Sequence, residues 1–235
     1  GCGGMKLLAL DTSSVACSVA VELNGSLFEQ HEEKPREHTR LLMPMIRSVL
    51  RDAGVQLADL DAIVLGNGPG SFIGMRIAAS VAQGLAFGTA LEIAPVSSLA
   101  AIAVRVFSES DATEVVVAQD ARMNEVYLGI YKRGADGLPA PLISERLQVM
   151  DVIPELDPSA AATRVAAGFG WQRYPQLLES NRAGVARVSE VLHPRAADLL
   201  PLGAELVRAG NSVLPQEVVP AYLRQKVAEK PSSGP

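Results

Sequence analysis

The chain has 235 residues, of which 48% are hydrophobic but only 4% aromatic, so its apolar content is mostly Ala, Val, Leu and Ile. A chain of this length buries enough surface to fold without disulfide or metal staples, which excludes a mini-protein and a disordered segment. Its formal net charge is -5 and its pI about 5.3, whereas nucleic-acid-binding domains usually have a pI above about 9. The acidic balance therefore disfavours tight tracking of a phosphate backbone by this chain alone.

Neither a membrane-spanning helix nor a secretory signal is expected from the sequence. The longest uncharged stretches, 77–91 and 93–104, are shorter than the roughly 18–20 residues that span a bilayer, and no basic, then apolar, then small-residue signal opens the chain. Residues 1–4, ahead of the first methionine, look like a cloning remnant. With them set aside, Cys17 is the single cysteine, so we expect no disulfide and a cytoplasmic protein.

The first hundred residues alternate between buried-strand and helical patterns. Asn24-Gly25 is the strongest short hairpin signal, and it separates two segments with strand patterns. Pro44 lies inside an amphipathic helical stripe and should kink it unless that helix starts later. The predicted elements in chain order are strands at 6–11, 15–23, 27–32 and 61–65, with helices at 39–53 and 72–87.

An internal repeat divides the chain into two halves. Residues 7–25 and 116–134 align without a gap at an offset of 109, which places Asp11 on Asp120. A period this long indicates two copies of one α/β fold, because solenoid repeats are about 20–50 residues long. We therefore predict an N-terminal lobe at 5–110, a C-terminal lobe at 111–228 and a tail at 229–235. In the second lobe we predict strands at 115–119, 125–131 and 164–167, a loop at 139–141 and a helix at 196–208.

Two turns have residue types suited to a nucleotide. Residues 11–14, Asp-Thr-Ser-Ser, follow a buried strand, and the glycine-rich loop 66–71 precedes a helix. The carboxylate could hold Mg²⁺ while hydroxyl and N–H groups bind phosphates; the alternative is an Asx turn and a strand-to-helix turn that needs glycine. The loop lacks the Gly-Lys-Ser/Thr of a Walker motif, and Pro69 and Ile73 occupy the glycine positions of a nucleophile elbow. The candidate cofactor-binding residues are Asp11, Thr12, Ser13, Gly70, Ser71 and Asp120.

The helix that follows this loop is apolar almost all round. Between Met75 and Phe87 its only polar side chains are Arg76, Ser80 and Gln83, and many of the others are small. Such a helix is buried on all sides. It is therefore either the central helix of its own domain or a helix with one face on its own sheet and the other against a second chain.

Metal and nucleophile motifs are missing from the sequence. Four residues after His31, His38 and His193 stand Pro35, Leu42 and Ala197 respectively, so neither H-x-x-x-H nor H-E-x-x-H occurs. Without such a pair on one helix face, we predict no metal site. Spacing alone also identifies no Ser/His/Asp set, and we predict no catalytic residue.

Five motifs in order resemble the TsaB (YeaZ) family of bacterial proteins, over Met5 to about residue 228. The motifs lie at 8–14 with 17–20, 68–77 (Gly-Pro-Gly-Ser-Phe-Ile-Gly-Met-Arg-Ile), 95–99, 120–127 and 220–224 (Pro-Ala-Tyr-Leu-Arg). The resemblance implies the actin-like ATPase (ASKHA) fold, with two RNase H-like lobes of mixed sheets flanked by helices. It departs from the family at Ile73, where threonine is common, and Gly168–Trp171 is a poor substitute for an adenosine-binding Gly-Gly motif.

The resemblance also implies a partner role in the formation of threonylcarbamoyladenosine in tRNA. TsaD, the paralogue that transfers the threonylcarbamoyl group, carries an H-x-x-x-H metal pair that this sequence lacks. The expected protein is a non-catalytic subunit without a cofactor that binds TsaD, is joined by the ATPase TsaE, can form a homodimer through helices of the first lobe, and meets tRNA only indirectly. The expected partner surface includes Leu42, Met45, Arg76, Ala79 and Gln83.

Two enzyme readings remain as alternatives. An ATP-binding or ATP-hydrolysing protein of the same fold would use Asp11 and Asp120, and would bind Mg-ATP as an isolated chain. A glycoprotease-like peptidase is the other alternative, because the wider family was once named for that activity. No nucleophile–base pair or metal motif in the sequence supports it.

Overall fold

The computed structural model describes residues 4–224, so most of the predicted remnant and all of the tail at 229–235 lie outside the described residues. The strands are β1 (Leu7–Asp11), β2 (Ala16–Leu23), β3 (Ser26–Glu33), β4 (Ala62–Gly66), β5 (Glu92–Val96), β6 (Glu114–Asp120), β7 (Glu125–Arg133), β8 (Pro139–Pro141), β9 (Arg146–Val149), β10 (Arg164–Ala167) and β11 (Arg187–Val188). The helices are α1 (His38–Ala53), α2 (Phe72–Thr89), α3 (Ser98–Glu109), α4 (Phe169–Arg173), α5 (Pro175–Asn181) and α6 (Ala196–Arg208).

The first sheet has the strand order β3-β2-β1-β4-β5. Its antiparallel part is a meander whose second turn has Asn24 at φ 52° and Gly25 at φ 83°, the left-handed pair that a two-residue hairpin turn requires, as the sequence predicts. β4 and β5 then run parallel to β1. Helices α1 and α2 cover one face of this sheet, and α1 continues through Pro44 without a break.

The second sheet repeats this plan with the order β11-β10-β6-β7-β8, and β9 also pairs with β7. Again an antiparallel pair is followed by parallel strands. The two mixed sheets flanked by helices confirm the α/β fold class, and their shared plan agrees with the two lobes that the family resemblance implies. No helix within residues 4–224 combines the length and the apolar character needed to cross a membrane.

Two details of the second lobe differ from the sequence prediction. Asp11 pairs with Ser18 across the first hairpin, whereas Asp120 pairs with Val126 across the second. The second connection is therefore one residue shorter, so the gapless alignment of the two halves is wrong beyond the turn. Three consecutive residues with left-handed backbone, 122–124, tighten this second turn. Residues 139–141, predicted as a loop, form β8 at the edge of the sheet, because β7 is long enough to pair with both β8 and β9.

The two lobes exchange helices. α3, which precedes the predicted boundary, packs Leu99 and Val106 against β6 of the second sheet. α6 returns from the second half of the chain and packs Leu199 and Leu200 on the first sheet. An ion pair joins the two helices, with Arg105 Nε 2.9 Å from an Asp198 carboxylate oxygen. The boundary at 110/111 thus separates the strands of the two sheets, but α3 and α6 pack across it. The division into lobes at 5–110 and 111–228 stays a prediction.

Two helical glycines should respond oppositely to alanine. A Cβ at Gly203 on α6 would lie 2.3 Å from a methyl carbon of the buried Val64, whereas a Cβ at Gly84 on α2 would meet no atom within 4 Å. Gly203→Ala should therefore lower the free energy of unfolding by about 1–3 kcal/mol through overpacking. Gly84→Ala should raise it by about 0.5–1 kcal/mol, because alanine loses less backbone entropy in a helix. Urea denaturation of both variants measures this, and a shift of the same sign in both would contradict the packing described here.

Candidate functional site

The carboxylate of Asp11 is the centre of a buried hydrogen-bond network at the end of β1. One oxygen accepts from Ser13 N (2.9 Å) and Ser13 Oγ (2.7 Å), and the other accepts from Ser98 Oγ (2.7 Å) at the start of α3. Ser98 Oγ accepts in turn from the backbone N–H of Gly68 (3.1 Å). Asp11 is completely buried, and that burial raises the pKa of its carboxyl group. The network joins the turn after β1, the glycine-rich loop and α3.

The turn after β1 lies in direct contact with the glycine-rich loop and the first turn of α2. Ser71 N donates to Ser13 O at 2.7 Å, and Thr12 Oγ1 donates to the backbone carbonyl of Gly74. A Cβ at Gly70 would lie 2.4 Å from Ser13 O, so only glycine permits this approach. The structure thus brings the predicted residues Asp11, Thr12, Ser13, Gly70 and Ser71 together. The hydroxyls of Thr12 and Ser13 and the N–H groups of Ser13 and Ser71, which could have bound a phosphate, are however bonded within the chain.

Asp120, the equivalent residue in the second lobe, has a separate set of partners. Its Oδ1 accepts from Tyr174 Oη (2.7 Å) and from Arg122 N (2.8 Å). Both donors belong to the second lobe. Within residues 4–224, Asp11 and Asp120, which the ATPase reading would use together, therefore share no hydrogen-bond partner.

An extended segment, 218–224, bridges the loops that follow β4 and β6. On the first lobe, Asn67 Nδ2 donates to Val219 O (2.7 Å) and Asn67 O accepts from Ala221 N (3.1 Å). On the second lobe, Arg224 donates to Glu125 Oε1 (3.1 Å). This assigns a structural contact to the Pro-Ala-Tyr-Leu-Arg motif, which links the two lobes.

A serine, a histidine and a glutamate also lie in a row across β2 and β3. Ser18 and His31 are directly opposite in the strand register, with Ser18 Oγ 3.0 Å from His31 Nδ1 and His31 Nε2 3.4 Å from Glu33. Ser18 Oγ also accepts from Ala196 N at 2.8 Å, which ties the row to the start of α6. Because Ser18 is only 1% exposed, no substrate can reach its hydroxyl. The row connects β3 and β2 to the start of α6 through hydrogen bonds. It lacks the accessible nucleophile of a peptidase.

Groups of three or more His, Cys, Asp or Glu side chains arranged to hold a metal ion are not found within residues 4–224. His38, at the start of α1, is buried and its Nε2 lies 2.6 Å from Ser14 O. Since a carbonyl only accepts, that nitrogen carries the proton. His38 thereby anchors α1 to the turn after β1.

The structure corrects three of the five residues expected at the partner surface. Leu42, Met45 and Ala79 are buried in the core between α1, α2 and the first sheet, because the apolar stripe of each helix faces the chain's own strands. Gln83 is half-buried and donates to Pro215 O at 2.9 Å. Of the five, Arg76 is exposed, and its guanidinium lies 5.2 Å from the centre of the Phe72 ring.

α2 nevertheless exposes one side along its whole length. Exposed residues recur every three or four positions, a spacing that puts them on one side of a helix; we call this side the outer face of α2. Ile73 and Phe87 are 71% and 65% exposed at its two ends. The outer face comprises Ile73, Arg76, Ser80, Gly84 and Phe87.

Residues 30–231 match the family model described as "TsaD: tRNA N6-adenosine threonylcarbamoyltransferase". The "tRNA threonylcarbamoyladenosine biosynthesis protein TsaB" of Escherichia coli (strain K12) is 38% identical over 230 residues, which are 98% of this chain and 99% of that protein. The chain belongs to the TsaB family. Solved structures agree with this assignment. "YeaZ from Pseudomonas aeruginosa" has a TM-score of 0.85 at 38% identity, and covers 94% of this chain and 100% of its own.

A second solved structure from Pseudomonas aeruginosa is described as an uncharacterized protein with similarity to the peptidase YeaZ. It has a TM-score of 0.86 at 40% identity, with 94% of this chain and 100% of that chain covered. The family resemblance and the actin-like fold that the motifs implied are thus confirmed.

If the Asp11 network is structural, its loss should destabilise the fold. Asp11→Ala leaves the Ser13 N–H and two serine hydroxyls without acceptors in a buried place, so the free energy of unfolding should fall by about 3 kcal/mol. Asp120→Ala should lower it by about 1 kcal/mol, because the surroundings of Asp120 are half-exposed. Chemical denaturation of both variants measures the difference, and an equal or smaller loss at Asp11 would contradict the structural role.

Calorimetry with Mg-ATP separates this role from the ATPase alternative. The full chain should release no binding heat, because the hydroxyl and N–H groups around Asp11 are already bonded. Heat that Asp11→Asn abolishes would instead support a nucleotide site.

Proposed function

We propose that this chain is a non-catalytic subunit that binds a TsaD-type transferase, with TsaE joining them, during threonylcarbamoyladenosine formation in tRNA. Its relatives are named for that biosynthesis, and it shares the family model of the transferase itself. Its histidines lack the H-x-x-x-H spacing that the resemblance assigns to TsaD. The bonded state of the Asp11 carboxylate further supports a subunit without its own catalytic step.

The outer face of α2 is the observation that carries the proposal. Isolated exposed apolar residues are common, but here two bulky ones lie on the same exposed side of one helix, a pattern that favours an interaction surface. The bulky Ile73 and Phe87 are separated by Ser80 and Gly84, and nothing lies within 4 Å of a Cβ built on Gly84. Small residues between large ones let a second helix approach closely. A helix of the transferase fits this surface, with Arg76 at its edge.

A second copy of the chain can use the same face when the transferase is absent. An isologous dimer would place two outer faces against each other, so the transferase and the second copy would compete. A tRNA role through the transferase agrees with the net charge of -5, since direct phosphate contacts need clustered basic residues. We expect no resident cofactor, and we propose a cytoplasmic location.

Arginine in the middle of the outer face should abolish binding of the transferase. Ser80→Arg puts a charged side chain into the apolar contact, and we expect at least about a hundredfold weaker binding, because an unpaired charge would be buried. Ser80 is exposed, so the fold itself should stay intact. Ala79→Arg is unsuitable as a test, because Ala79 is part of the core. Co-purification and titration with the transferase measure the effect.

Ser108→Arg is the matched control, since Ser108 is also an exposed helical serine but lies on α3. It should bind the transferase as the wild type does. A modification assay with transferase, TsaE and tRNA should lose activity with Ser80→Arg and keep it with Ser108→Arg. Unchanged affinity of Ser80→Arg would show that the surface is misplaced. Full modification without this chain would reject the proposed function.

A further inference from the structure

A cavity of about 690 Å³ lies between the two lobes. Its walls come from the end of β3, from α3 and from the segment 187–195, which runs from β11 to the start of α6. None of its lining residues belongs to the Asp11 network or to the outer face of α2. Its volume falls within the range of about 300–1,000 Å³ that is typical of small-molecule sites.

The cavity lies beside one edge of the second sheet. β11 runs parallel to β10 at that edge, and the lining segment leaves its carboxyl end. The opposite wall is the first lobe, so a ligand here would contact both lobes.

Two acids in the cavity wall lie beside a nitrogen-bearing side chain. Glu109 lies 3.6 Å from Arg105, which also binds Asp198, and Glu33 lies 3.4 Å from His31 Nε2. Burial lowers the pKa of His31, which favours its neutral form, so Glu33 has a polar neighbour on its own strand but no opposite charge there. A hydrogen bond of 3.0 Å between Ser18 Oγ and His31 Nδ1 holds the His31 ring.

Two guanidinium groups of the lining are left over. Arg187 and Arg195 make no hydrogen bond through their side chains and no ion pair within residues 4–224. Glu190, the acid nearest to them in sequence, is exposed to solvent. The lining as a whole has three arginines and three glutamates, and the two unpaired arginines come from the two ends of one short segment.

His193, which lies between these two arginines in the sequence, is a third polar residue in the cavity wall. Its Nδ1 is buried and has no hydrogen-bond partner among the described residues, and its ring lies 5.6 Å from the ring of Phe169. Burial lowers the pKa of this histidine, which favours the neutral ring. A neutral imidazole has one donor and one acceptor nitrogen, so the ring of this lining residue can form a hydrogen bond to a ligand.

We propose that this interlobe cavity binds a small anion through a carboxylate or phosphate group, held by Arg187 and Arg195 with His193 as a further polar contact. Guanidinium groups bind both kinds of oxyanion through paired N–H donors. A ligand held from 187–195 would also meet Arg105 and His31 on the opposite wall. Anion binding would therefore fix the relative position of the two lobes.

Isothermal titration of the full chain with inorganic phosphate and with succinate tests this, at an ionic strength kept constant with chloride. We expect one of the two anions to bind with a Kd below about 1 mM, and the anion that binds identifies the preferred group. The double variant Arg187→Gln/Arg195→Gln should weaken that binding at least about tenfold. Thermal melting by circular dichroism checks that the double variant is folded. If the double variant is not folded, Arg187→Gln alone takes its place, because Arg187 is at an exposed strand position.

The matched control is Arg182→Gln/Arg208→Gln, which removes the same charge from exposed positions outside the cavity. It should bind the anion as the wild type does. An equal loss in both double variants would mean general electrostatic attraction and would overturn the proposal. Absence of heat with both anions up to roughly 10 mM would overturn it as well.

Discussion

The buried carboxylate of Asp11 is the constraint on which the first lobe depends. A charge-bearing group at the end of a central strand is tolerated in the core only when every oxygen has a donor, and here Ser13 and Ser98 supply them. Ser98 is the first residue of α3, and it also receives the N–H of Gly68. One carboxylate thus positions the turn after β1, the glycine-rich loop and the helix that leads into the second lobe.

The orientation of α2 follows from this arrangement. Its first turn is held because Thr12 donates to Gly74 O and Ser13 O accepts from Ser71 N. With that end fixed, one side of the helix packs on the first sheet and the other points away from the chain. The turn after β1 thus holds the first turn of α2 in place through hydrogen bonds within the chain.

Local patterns in the sequence predicted most of the elements, because strand alternation, the Asn24-Gly25 turn and the amphipathic stripe of α1 depend on near neighbours. They did not predict which surface would cover each apolar stripe. Leu42 and Met45 looked like partner contacts, yet their stripe is covered by the first sheet. The sequence showed that α2 is apolar almost all round, but only the packing shows which side is left exposed.

Contacts between distant segments could be predicted only in part. The exchange of α3 and α6 between the sheets follows from the three-dimensional course of the chain, and no short-range signal reports it. The opposition of Ser18 and His31, in contrast, follows from the hairpin register, since a two-residue turn at 24–25 places those positions opposite each other. The one-residue difference between the two Asp turns could not be predicted from the sequence. The left-handed residues at 122–124 are not glycines, so no glycine signalled the tight turn.

Hydrogen–deuterium exchange of the chain alone and in complex with the transferase tests whether the Asp11 turn is bonded only within the chain while α2 contacts the partner. Binding should slow exchange along 72–89. It should leave 11–14 and 66–71 unchanged, since the amides there are already protected in the free chain. Unchanged exchange along 72–89 in the complex, or new protection centred on 11–14 and 66–71, would contradict this arrangement.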